Sequence, residues 1–243
     1  AARVLRGVKR ACGWRAAHAV KQASCSDEPD AGTAAYRFVR YAMDEQKLRA
    51  CDRCRKRASC KGRGGTGPCP KMRGRALSDI PHPAVERLFR ISRSINQECE
   101  HMRQFVRFQH LRSEGEGSGT STEVWFARVS PKASVVPLVM DHFVERLGVQ
   151  PFIIDEVHEL AGVYDGGDWH LVATAGQGDL AGALPDPTAD EALFSEAWRA
   201  FYRSVSVGAR YHPELRRQFM PKRFWKNLTE LQESPAALRT ARS

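Results

Sequence analysis

The clearest periodicity in the chain lies between Pro83 and Leu111. There Val85, Leu88, Phe89, Ile95, Cys99, Met102, Phe105 and Val106 recur at three- and four-residue steps. That spacing lays one apolar stripe along a helix, and Pro83 stands at the favoured first helical position. At 1.5 Å per residue the helix would span roughly 40 Å and form the spine of the domain. Tyr36, Val39, Met43 and Leu48 predict an earlier helix over 34–50. RSEGEGSGTST (112–122) reads as a flexible loop.

Beyond that loop the period changes. VWFARV (124–129), PFIIDEV (151–157), LAGVYD (160–165) and WHLVAT (169–174) are short and rich in β-branched or aromatic residues, which predicts strands. Gly166-Gly167 signals a hairpin between the last two. VVPLVMDHFVERL (135–147) predicts a helix between the first two strands, with Pro137 in its first turn. Leu193, Phe194, Ala197, Trp198, Phe201 and Val205 predict another over 191–207, and His212-Pro213 opens a short basic helix. The pattern predicts an α+β fold, a small antiparallel sheet of about three or four strands bracketed by helices.

The expected organisation is a basic N-terminal helix and linker over 1–33, a single domain over 34–230, and a loose tail over 231–243. The first 21 residues carry six basic side chains and no acid, with too few apolar residues for a signal core. No apolar run approaches the ~20 residues that cross a bilayer, so no membrane partner is expected.

Residues 51–75 break with everything around them. They hold four of the chain's seven cysteines, five glycines and two prolines, with almost nothing apolar. Such a segment cannot build its own core; it needs a cross-link or a metal, or it stays disordered. Cys51-x2-Cys54-x5-Cys60-x8-Cys69 offers four thiolates, a pair two residues apart to grip one ion and two more to close a tetrahedral shell. One zinc ion or an iron–sulfur cluster would fit, and spacing does not separate them. Four reduced cysteines in a disordered basic loop are the alternative. An odd total, crowded in this way, is unlike a secreted disulfide framework and points to the cytoplasm.

Charge sharpens the picture. The chain has 38 Lys and Arg against 28 Asp and Glu, a net charge of +10. Residues 49–75 hold ten basic side chains, Arg53, Arg55, Lys56 and Arg57 among them, and one acid, Asp52. Residues 210–226 hold six (Arg210, Arg216, Arg217, Lys222, Arg223 and Lys226) and one acid, Glu214. Two cationic clusters favour a polyanionic partner such as DNA. Tyr211, Phe219, Phe224 and Trp225 interleave the second cluster and could stack on unpaired bases. Their simpler role is to anchor the C-terminus to the core.

Catalytic groups are harder to find. Glu98 and His101 are three apart on the long helix and share a face, enough for half of a di-metal site. A solvent-exposed helix face is the simpler placement for them. Asp155, Glu156, His158 and Glu159 surround one predicted turn, while Asp165 and Asp168 flank the next, where carboxylates ordinarily serve turn chemistry. No P-loop, G-x-S-x-G or G-x-G-x-x-G is present.

Three stretches carry a family resemblance: ECEHMRQFVRF (98–108), VVPLVMDHFVERLGVQPFIID (135–155) with the VYDGG hairpin, and QFMPKRFWKNLTE (218–230). From about Tyr36 to Glu230 the chain resembles a bacterial family of probable DNA metabolism or DNA repair proteins. That domain has no assigned activity, and it occurs fused to uracil-DNA-glycosylase-like domains or encoded beside a radical-SAM protein. Matched positions are Glu98, Met102, Phe105, Arg107, Phe108, Met220, Pro221, Lys222, Arg223, Trp225 and Lys226. Glu100 and His101 stand where the family has His and Arg, and Gln104 where it has Gly. The four-cysteine segment looks like an insertion between the Tyr36 helix and the long helix. The resemblance implies a DNA repair or metabolism accessory role, with a radical-SAM or glycosylase-like protein as partner. A metal-dependent hydrolase or glycosylase-like enzyme and a protein–protein adaptor are the alternatives.

Overall fold

A computed structural model describes residues 2–48, 75–114, 121–174, 187–208 and 212–231. The chain divides into two compact units, Ala1–Gln97 and Glu98–Ser243, and the division falls inside the long helix.

The first unit comprises α1 (Ala2–Cys12), α2 (Trp14–Ala23), α3 (Ala31–Leu48), a 3-10 turn (Arg75–Ser78) and most of α4 (Pro83–Phe105). Gly13 separates α1 from α2 at φ 91°, a left-handed conformation that favours glycine. The core is built from small side chains, Ala16, Ala19, Ala23, Ala34 and Ala42, around Phe38, Leu88, Ile91 and Ile95. Gln22 is buried in it; its amide accepts from the Ser92 hydroxyl and donates to Asn96. Its polar atoms are thereby satisfied away from water.

The second unit holds the last turns of α4 and a five-stranded sheet. Its strands are β1 (Gln109–Glu114), β2 (Ser121–Val129), β3 (Phe152–Glu156), β4 (Leu160–Tyr164) and β5 (Trp169–Ala173), side by side in chain order. Helix α5 (Val136–Leu147) connects β2 to β3. Helices α6 (Ala189–Val205), α7 (Pro213–Phe219) and α8 (Lys222–Trp225) follow, then a 3-10 turn at Thr229–Leu231.

The four predicted strands are all present, but the sheet differs from expectation in two ways. β1 is an additional strand, because α4 stops at Phe105 rather than near Leu111. Gln109 to Glu114 instead pair antiparallel with β2, and Leu111 is buried there. The sheet is also mixed: β2 and β3 run parallel, with Arg128 opposite Asp155 and Val129 opposite Glu156. A helix lies between those strands, and such a crossover returns the chain in the same direction where a tight turn would reverse it. Phe126, Phe152, Ile154 and Ala161 of the sheet and Val139, Met140 and Phe143 of α5 form the buried apolar centre. α5 lies close to β4 at Gly162, where an added Cβ would stand 2.8 Å from Val136 Cγ1 and closer still to Met140 Sδ.

Candidate functional site

Glu98 and His101 begin the second unit, on the last turns of α4 with the buried Cys99 and Met102. The expectation of an exposed helix face is corrected here, for Glu98 is 5% exposed and His101 8%. Segments distant in sequence cover them. Glu98 Oε2 accepts the Lys132 backbone N–H at 2.8 Å, and Oε1 accepts from the Arg223 guanidinium. His101 Nδ1 lies 3.6 Å from Glu98 Oε1, too far for a hydrogen bond, and has no hydrogen-bond partner. The His101 ring packs near Phe105, centroids 5.9 Å apart, and edge-on to Phe224 at 5.7 Å. Burial pushes the His101 pKa down, with nearby Arg223 acting the same way and Glu98 opposing both.

A second buried carboxylate holds the same loop. Residues 130–135 link β2 to α5, and Glu156 at the end of β3 accepts the Ser134 hydroxyl at 3.0 Å and the Val135 N–H at 3.1 Å. Burial raises the Glu156 pKa to about 7 against the opposing pull of these donors and His158. The His158 ring meets the Pro131 carbonyl at 3.1 Å, and Asn227 donates to the Ser130 hydroxyl at 3.4 Å. Next to Glu156, the buried Asp155 accepts from Arg128 Nε at 2.9 Å. These two acids therefore have structural partners beyond turn chemistry. Asp165 does serve its turn: it accepts the Gly167 and Asp168 N–H groups, which hold its pKa below the usual carboxylate value.

The C-terminal basic segment is fastened at this point. Phe224 is buried, and the half-buried Trp225 donates its indole N–H to the Met220 carbonyl at 3.0 Å. Arg223 turns inward to Glu98, and Arg216 lies over the Trp225 ring at 5.9 Å. Arg217, Lys222 and Lys226 are exposed. Phe224 and Trp225 thus face inward, whereas Phe219, expected to anchor the segment, is 65% exposed, and the three cations face water. Arg210, Arg53, Arg55, Lys56, Arg57 and the four cysteines Cys51, Cys54, Cys60 and Cys69 lie outside the described residues. Among the described residues, no group of three or more His, Cys, Asp or Glu side chains is arranged to hold a metal ion.

Sequence reasoning missed Lys132. Its side chain is exposed while its backbone N–H donates to the carboxylate that holds Arg223, so the loop adds a cation next to the C-terminal segment. It also missed the surroundings of Arg107, whose guanidinium lies 5.1 Å from the Phe194 ring centroid and 3.8 Å from Glu191. No local motif marks either one. The first unit separately contains a cleft of about 650 Å³ lined by Trp14, His18, Gln22, Phe89 and Asn96 among others. None of the site residues expected from sequence lines it.

Both oxygens of Glu98 are engaged, one by a guanidinium and one by an amide. A carboxylate so held is a strut that fixes a loop and a helix, not a free base. The second unit is thus an α+β domain with a mixed sheet and a basic C-terminal segment clamped to a buried acid. The chain belongs to a family described as a domain of unknown function, DUF4130, whose model matches residues 69–230. That range contains all three stretches that carry the resemblance, but begins past the Tyr36 helix and past three of the four cysteines. No curated protein and no solved structure matches the chain.

Proposed function

We propose that the protein is a nucleic-acid-binding accessory protein of DNA repair or metabolism, and that it grips phosphates with its C-terminal basic segment. The supporting observation is the Glu98–Arg223 pair. It withdraws one cation to fix the segment, leaving exposed Arg217, Lys222 and Lys226, with Lys132 nearby, to meet a polyanion. Lysine and arginine side chains that neutralise phosphates release counterions, so affinity falls with salt and carries little sequence information. Anisotropy of a labelled DNA duplex, titrated across a salt series, tests this. A linear fall in log affinity with log salt supports the reading; absence of binding by folded protein at low salt overturns it.

In the same reading, Cys51, Cys54, Cys60 and Cys69 hold one zinc ion or an iron–sulfur cluster, and Arg53, Arg55, Lys56 and Arg57 add phosphate contacts. A radical-SAM protein or a glycosylase-like protein would supply the chemistry. One observation favours an enzymatic alternative on DNA: the buried His101 Nδ1 has no hydrogen-bond partner. Base release or strand hydrolysis lost in His101→Ala but kept in Lys222→Ala would select it.

A further inference from the structure

The cleft of the first unit is lined by two rows of side chains. On α2, Trp14, His18 and Gln22 follow at four-residue steps; on α4, Phe89, Ser92 and Asn96 follow at steps of three and four. Gln22 ties the rows together, accepting from the Ser92 hydroxyl and donating to the Asn96 carbonyl. Those bonds use the Ser92 proton and the Asn96 oxygen. The Asn96 N–H2 group and the Ser92 oxygen lone pairs are left for a ligand. Around this polar floor stand two rings in water, Trp14 at 63% exposed and Phe89 at 41%. At about 650 Å³ the cleft has the size of a small-molecule site, roomy enough for a nucleoside.

The surroundings are cationic. Arg15 lines the cleft and lies over the Trp14 ring at 6.0 Å. An adjoining cleft shares Phe89, Ser92 and Asn96 and adds Arg90 and Arg93; Glu86, the acid that lines it, accepts from Arg90 at 3.1 Å. Helix α1 ends in the cleft wall at Cys12 and exposes Arg3, Arg6, Lys9 and Arg10. At about 100° per residue these four fall within an arc of about 120°, on the side away from the buried Val8 and Cys12. No acid precedes Asp27 in the sequence.

We propose that the first unit binds single-stranded DNA and seats an unpaired base in this cleft. Trp14 and Phe89 supply the stacking surfaces, which suit any base because each has a π-face. Asn96 and Ser92 offer a donor and an acceptor to the edge of that base. Arg15, Arg93 and the cations of α1 meet the flanking phosphates. A duplex cannot use the cleft while its bases stay stacked and paired. The inference rests on the reading of the protein as nucleic-acid-binding, but not on its C-terminal segment.

Anisotropy of a labelled oligothymidylate, run beside a labelled duplex, tests this on the full chain. Trp14→Ala should weaken binding of the strand about tenfold and leave duplex affinity unchanged. Its salt slope on the strand should match wild type, because a ring is lost and no charge. Trp14→Phe keeps a ring and should restore most of the affinity. Should Trp14→Ala misfold, quenching of tryptophan emission by unlabelled strand reads the same contact, and Trp14→Phe should reduce it. A strand bound equally by wild type and Trp14→Ala, or an equal loss on strand and duplex, overturns the inference and leaves the C-terminal reading standing. Binding to neither nucleic acid overturns both.

Discussion

Arg223 donates its guanidinium to Glu98 across 125 positions of sequence, and the carboxylate is 6% exposed. The same carboxylate receives the Lys132 N–H, so one acid joins the end of α4, the 130–135 loop and the C-terminal basic segment. Removing one partner leaves the other charge buried or uncompensated. Glu98→Ala should therefore destabilise the protein by about 3 kcal/mol, the low end for a buried pair because Arg223 keeps some contact with solvent. Replacing both residues by hydrophobic ones, Glu98→Met with Arg223→Leu, should recover much of that loss in urea unfolding.

Glu156 predicts an unusual pH dependence. Its pKa is raised from an ordinary 4.5 to about 7 by burial, so the native state holds a proton that the unfolded chain releases. Stability from this group is therefore full below pH 4.5, falls as pH rises toward 7, and is level above that. Glu156→Gln keeps an acceptor for Ser134 and Val135 but cannot ionise. The stability of wild type relative to this variant should drop by on the order of 3 kcal/mol between those limits. Denaturant melts at a series of pH values measure it, and a flat difference would mean the carboxyl has its usual pKa.

The contact at Gly162 is tight enough to test by adding a methyl. In Gly162→Ala the new Cβ meets Val136 and Met140 of α5, and β-branched Val136 has little freedom to move aside. The cost should be about 1–3 kcal/mol by chemical denaturation, partly recovered by Val136→Ala. No loss at all would place α5 farther from β4 than described.

The four-cysteine reading makes a prediction about metal content. Anaerobically purified protein should carry zinc or iron close to one site per chain, and Cys54→Ser should lower that content sharply. A visible absorption band would indicate a cluster, its absence with bound zinc a thiolate site. Metal-free protein that binds DNA normally would remove the cysteines from the account.

Much of the fold was legible because its signals are local. The stripe from Val85 to Phe105 fixes α4 by spacing alone, and β2 to β5 announce themselves through β-branched and aromatic runs. β1 was hidden because its first residues, to Leu111, continue the helical spacing and its last, Arg112 to Glu114, have a loop's composition; it becomes a strand only by pairing with β2. The direction of β3 was also invisible, being set by the crossover through α5. The site was least legible. Glu98 and His101 look like solvated positions, and only partners 34 and 125 residues away make Glu98 a buried hub. On α6 the failure was the reverse, for a stripe that reads as core stays in water while Glu191 and Ser195 go inside.

The salt dependence of DNA binding, compared between wild type and Arg217→Ala with Lys222→Ala, bears most directly on the phosphate-gripping role of the C-terminal segment. Both side chains are exposed, so the variant should keep its melting temperature. Its slope of log affinity against log salt should be shallower than wild type by about two, one for each lost phosphate contact, on any duplex sequence. An unchanged slope in the folded variant would contradict the assignment.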